Sequence, residues 1–125
     1  MSIIDAQLML SFLSTALIAL GEPEPWNACL YNSESIVCRR IFQCSERPCL
    51  TFKLEWKDGV SDIFTRYKKS NYRKISYYSD TRGGRWVLMS SGRSFGLKNL
   101  SNNNSIVFDM TLKDCRKSAL SGFCE

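Results

Sequence analysis

Histidine is absent from this 125-residue chain. Without imidazole there is no Ser-His or Cys-His dyad, no His-ligated zinc, and no side chain whose ordinary pKa lies near neutrality. Cys-x-x-Cys pairs are missing too: the closest cysteines, Cys44 and Cys49, have four residues between them. Zinc ribbons need short paired spacings, so the thiols do not read as a metal site. Beyond residue 20 there is no long apolar run, no internal repeat and no helix-period segment of convincing length. No nucleophile motif, phosphate-cradling loop or cofactor fingerprint occurs, so neither enzyme chemistry nor a cofactor is expected.

The informative content begins at the N-terminus. Residues 8–20 (LMLSFLSTALIAL) are apolar and end in Ala19-Leu20-Gly21, with small residues where a signal peptidase requires them. The run falls short of the roughly 20 apolar residues a membrane-spanning helix uses. Residues 1–21 are therefore expected to be a helical signal segment, although the stretch before the run carries Asp5 and no base. A membrane is expected as a partner only if that segment stays uncleaved. Residues 22–125 then form a single small β domain containing disulfides, secreted or periplasmic. Cleavage would remove Asp5 and no base, making the +5 chain one unit more basic. With 44% hydrophobic and 12% aromatic residues, the remainder is expected to fold around a core rather than stay disordered.

Six cysteines, Cys29, Cys38, Cys44, Cys49, Cys115 and Cys124, follow the leader and read as a disulfide framework. The turn 44–49 lies between two expected strands, which would set Cys44 opposite Cys49. Cys115 with Cys124 would close the C-terminal loop, leaving Cys29 with Cys38. A Cys29–Cys115 tie competes, because a longer closed loop restricts the unfolded chain more.

Glu22-Pro23-Glu24-Pro25 forms a stiff lead-in. After it, period-two alternation punctuated by turn residues marks strands over 28–31, 36–43, 50–57, 60–67, 74–79, 86–90, 94–98 and 106–112. The fold class is mainly β, a small antiparallel meander closed as a barrel or stacked as a sandwich. Asp58-Gly59 is expected to make a type I′ hairpin, with Phe52, Leu54 and Trp56 on the packed face. Ile106, Phe108, Met110 and Leu112 are expected to share one face of the last strand. The turn at Gly83-Gly84 should feed a strand that buries Trp86 and Leu88; the alternative is a surface loop presenting Trp86 with Arg82 and Arg85.

The densest charge feature is Arg66, Tyr67, Lys68, Lys69, Tyr72, Arg73 and Lys74. Interleaved cations and aromatics suit sulfate or phosphate contact with stacking on rings, though such a segment also serves as a solvated connection. Export disfavours nucleic acid, leaving an anionic glycan, a lipid headgroup or an acidic protein as the expected partner. Ser91-Gly92-Arg93-Ser94-Phe95 resembles, at Ser91, Gly92 and Phe95, the loop that exported inhibitors of C-type lysozyme insert into the enzyme's cleft. That resemblance implies inhibition of a lysozyme or another hydrolase as an alternative function. A structural role in the envelope is a further alternative. For a carboxylate-based hydrolase, Glu55 and Asp62 are expected to face each other across the Asp-Gly hairpin, though nothing in the spacing selects that pair. Oligomeric state is not legible in the sequence.

Overall fold

A computed structural model describes residues 25–43, 50–72 and 74–125. The expected leader (1–21), the Cys44–Cys49 pair and Arg73 lie outside the described residues. Eight antiparallel strands follow one another: β1 (Asn27–Tyr31), β2 (Glu34–Gln43), β3 (Thr51–Trp56), β4 (Ser61–Lys69), β5 (Ile75–Asp80), β6 (Arg85–Ser91), β7 (Ser94–Asn99) and β8 (Ser105–Phe108). Each pairs with the next, and β8 pairs back onto β1 through Cys29↔Phe108, Leu30↔Val107 and Tyr31↔Ile106, so the meander closes as a barrel. Of the two closures left open by the sequence, the barrel is the one formed.

Alternation decides which side chains fill it. Phe52, Leu54 and Trp56 of β3 point inward with Phe64, Tyr78, Trp86, Leu88, Phe95, Leu97, Ile106 and Phe108, all buried. The rings interlock: Phe52 lies 5.1 Å from Phe64 and 5.2 Å from Tyr78, and Phe95 stacks on Phe108 at 5.1 Å. Offset and edge-on pairs of this kind add about 0.5–1.5 kcal/mol each beyond the area they bury. The middle of the barrel is thus packed. Arg39, Lys53 and Glu55 stand on the outer wall, where Glu55 accepts from Arg39 (2.7 Å) and pairs with Lys53 (3.1 Å). Those two bonds hold the Glu55 carboxyl below its ordinary pKa despite some desolvation. Apolar inside and charged outside is the reverse of a lipid-facing barrel.

The Cys29–Cys38 disulfide joins β1 to β2, and Cys115–Cys124 closes the C-terminal segment, both as in the sequential pairing. Cys29–Cys115 is thereby excluded. The C-terminal segment contains a short helix, α1 (Leu112–Arg116), capped by Thr111, and a 3-10 turn at Ser121–Phe123. It runs across the outside of the barrel and builds a second core there, in which Leu30 and Val107 meet Cys115, Leu120 and Cys124. This cover explains why β8 is buried on both faces.

Three expectations need correction. The last strand stops at Phe108, because Asp109 takes a φ of 64° and turns the chain. Met110 and Leu112 consequently pack in the outer core, not beside Ile106 and Phe108. The hairpin at Asp58-Gly59 is not type I′: Gly59 takes φ 95° while Asp58 does not turn positive, and the Gly59 N–H donates to the Trp56 carbonyl (2.9 Å). With Trp56 N–H donating to the Val60 carbonyl (2.8 Å), this is a three-residue loop ending in a left-handed glycine. Glu55 pairs in register with Ser61, and Asp62 with Leu54, so Glu55 and Asp62 occupy opposite faces of the sheet and cannot act as a facing pair.

Candidate functional site

In an up-and-down barrel successive connections alternate between the two ends. At one end, the 57–60, 81–84 and 100–104 turns are stitched by their own side chains. The Asp80 carboxylate accepts from the Trp86 indole N–H (2.9 Å) and from the Gly84 and Arg82 backbone N–H groups (2.8 and 2.9 Å). Desolvation pushes its pKa up, but these bonds and the Arg82 charge outweigh it and leave the carboxyl below its usual range. Asp62 pairs with Arg82, and Asn99 accepts from the N–H groups of Ser101 and Asn102. Trp86 and Leu88 are in the core, as the turn-and-strand reading expected, and Trp86 is not offered to solvent.

Among the described residues, the opposite end holds a cavity. The 70–74 connection and the 92–93 turn stand around its volume of about 990 Å³, which descends along the barrel axis to Phe52, Tyr78, Leu88 and Phe95. Its described lining holds four cations, Arg40, Lys69, Lys74 and Arg93, and no carboxylate. Hydroxyls of Ser76, Ser90, Ser94 and Tyr78 supply neutral donors and acceptors among them. Tyr72, 73% exposed, stands at the rim. Burial pushes the Tyr78 phenol up to about 12 against the pull of the Arg66 charge, so it is a hydrogen-bond donor at any ordinary pH.

Local chemistry fixes this arrangement. Gly92 takes φ 62° at the β6–β7 turn, and the next residue, Arg93, donates to Asp109 (2.8 Å) while Ser94 Oγ–H donates to the Asp109 carbonyl (2.9 Å). The Ser90 N–H donates to the Lys74 carbonyl (2.9 Å), tying the two sides of the rim together. Arg40 is on β2, in register with Leu54, and reaches inward from within the strand. Its guanidinium lies 4.5 Å from the Phe108 ring centre and 5.7 Å from that of Phe95.

The basic segment read from sequence is therefore split three ways. A bulge between Arg66 and Lys68 shifts the register, so that Arg66 pairs with inward-facing Tyr78, Lys68 with outward-facing Tyr77, and Lys69 with buried Ser76. Lys69, Tyr72 and Lys74 reach the cavity. Tyr67 and Lys68 lie on the outer wall, with Lys68 5.5 Å from the Tyr77 ring and Arg85 5.1 Å from that of Tyr67. Arg66 turns toward the interior beside Tyr78. Arg40 and Arg93, which complete the basic cup, belong to no charge cluster in the sequence; only an inward-facing position on β2 and a place in the facing turn bring them in.

The Ser91–Phe95 resemblance fares unevenly. Gly92 has open space around it, whereas Phe95 is buried and stacked on Phe108. An inserting loop would offer glycine and arginine, not the aromatic. The class these observations define is a closed, filled eight-stranded barrel with a basic cup at one end. In comparisons with known proteins, no family model, no curated protein and no solved structure matches the chain.

Proposed function

We propose that the protein is an exported binding module, not an enzyme, which takes an anionic ligand in the axial cup. The observation that carries this reading is that the described lining of one cavity holds Arg40, Lys69, Lys74 and Arg93, the last of them paired with Asp109 at 2.8 Å. A concavity with an excess of positive charge concentrates field lines and draws in anions. The two disulfides among the described residues fit an oxidising compartment, and an exported protein meets anionic glycans, lipid headgroups and acidic protein surfaces there. The outer-wall cluster of Tyr67, Lys68, Tyr77 and Arg85 satisfies its cations on its own rings and supports the cup less directly.

The test is retention on immobilised heparin as salt is raised. Wild-type protein should bind, and Lys69→Ala/Lys74→Ala/Arg93→Ala should elute at lower salt. Each lost ion contact should reduce the log–log salt slope by roughly 0.7–0.9. Lys68→Ala/Arg85→Ala is the control and should elute close to wild type. Equal loss in both variants, or none in the first, would remove the cup as the site. The inhibitor reading is favoured by one observation, the unobstructed tip at Gly92. Inhibition of a C-type lysozyme that disappears on Gly92→Val, with heparin retention intact, would move the function to that turn.

A further inference from the structure

We infer that Asn103 is the acceptor for a single N-linked glycan, carried at the end of the barrel away from the cavity; this rests on the export proposed above. The end of β7 and the turn after it hold two acceptor sequences of the form Asn-x-Ser, Asn99-Leu100-Ser101 and Asn103-Asn104-Ser105. In a turn rich in asparagine and serine, such matches decide nothing by themselves. The structure separates them. Asn99 is the last residue of β7 and only 7% exposed. Its Oδ1 accepts from the Ser101 and Asn102 N–H groups (2.8 and 3.1 Å), so its amide is part of the turn that leads into β8.

Two more asparagines of this turn are engaged in the same way. Asn102 Oδ1 accepts from the Asn104 N–H (2.9 Å), and the Asn104 side chain bonds to Asn32 (3.2 Å) and Tyr31 (3.4 Å). Asn103 differs. It is exposed, takes a φ of 63° where the chain reverses, and has no side-chain hydrogen bond among the described residues. It borders a polar hollow of about 260 Å³, so a sugar on its Nδ2 has space without breaking a strand pairing. The donor required is an oligosaccharide linked to a lipid pyrophosphate. Asn103 Nδ2 bonds to the anomeric carbon, the bond from that carbon to the pyrophosphate oxygen breaks, and one amide proton is lost. Nothing is oxidised or reduced. A bulky, solvated sugar on Asn99 is incompatible with that residue's buried place, so the folded protein carries one glycan.

The experiment is expression of the full chain, residues 1–21 in place, in a eukaryotic secretory cell line. The readout is the mass of the protein in the medium before and after an amidase that removes N-linked glycans. One glycan is expected, released in a single mass step that leaves residue 103 as aspartate. Ser105→Ala should abolish it while keeping Asn103 in its left-handed position, and Ser101→Ala should leave it unchanged. Should Ser105→Ala fail to be secreted, Asn103→Gly, which suits a φ of 63°, reads the same loss. Secreted protein of unmodified mass would overturn the inference and leave export standing, as would two glycans on the folded protein or one that survives Ser105→Ala. Unmodified chain found only inside the cells would remove the export reading, and the inference with it.

Discussion

Gly96 offers the sharpest test of how the C-terminal segment is seated. It lies on β7 between inward-facing Phe95 and Leu97, opposite Met89 and Val107, and faces out of the barrel. The Phe123 ring occupies the space a side chain would fill. A Cβ at Gly96 would stand 2.6 Å from Phe123 Cγ and 2.7–2.8 Å from the two Cδ atoms. These are atoms at the root of the ring, which cannot swing aside alone. Phe123 is also held: its N–H donates to the Leu120 carbonyl (2.8 Å), Cys124 beside it is cross-linked, and Lys98 donates to the Gly122 carbonyl (2.9 Å). Gly96→Ala must therefore displace the 3-10 turn or strain β7. Overpacking of this kind costs about 1–3 kcal/mol, offset by about 0.4–1 kcal/mol from a less flexible unfolded chain. The net loss is about 1–2 kcal/mol, a fall in Tm of roughly 4–16 °C for a domain of about 100 residues. Urea or thermal unfolding under non-reducing conditions reads it directly. A double-mutant cycle supplies the control: with Phe123→Ala in place, Gly96→Ala should become neutral or stabilising, a coupling of about 1–2 kcal/mol. If Gly96→Ala is neutral alone and the two changes add, the packing described for Phe123 is wrong.

Two further outcomes follow from the two cores and from Tyr78. Cys115→Ser/Cys124→Ser opens a cross-link of sequence separation 9, which the chain-entropy relation values at about 2.6 kcal/mol. The urea midpoint should drop while the near-ultraviolet dichroism of the inner rings persists in native buffer; loss of both together would contradict the separation of the two cores. The Tyr78 phenol, ordinarily near 10.0, is raised to about 12 in the folded protein. Above pH 10 the unfolded chain gives up this proton first, so stability should fall as pH rises from 10 toward 12 and be unaffected by Tyr78 below that window. Absorbance titration should show a late phenolate that Tyr78→Phe abolishes, and a titration of all the phenols with a common midpoint near 10 would refute the burial argument.

Much of the fold was legible because it is local. Strand positions follow from alternation between turn residues, and seven of the eight pairings join neighbours in sequence. The closure of β1 on β8 was left open between barrel and sandwich, since nothing near Cys29 refers to Phe108. The cup was only half legible. Strict alternation through Arg66, Tyr67, Lys68 and Lys69 puts Lys68 and Arg66 on one face, and only the bulge sends Lys69 inward instead. Arg40 was hidden for a related reason. On β2 it shares a face with Cys38, while apolar Val37 and Ile41 hold the other, so hydropathy gives β2 no clear inside. The early end of β8 depends on Asp109 in a left-handed conformation, which an aspartate adopts too rarely to be expected without its context.

Closure by the β1–β8 seam also limits how the protein can meet a partner. An open sheet ends in a row of unpaired backbone groups, and many recognition domains capture a peptide by adding it there as one more strand. Here each described strand is bonded on both sides. Main-chain zippering with a partner or with a second copy is therefore closed off without first prising the seam apart. Recognition falls to side chains at the rim and on the wall, where single substitutions can retune it while the hydrogen-bonded frame stays the same.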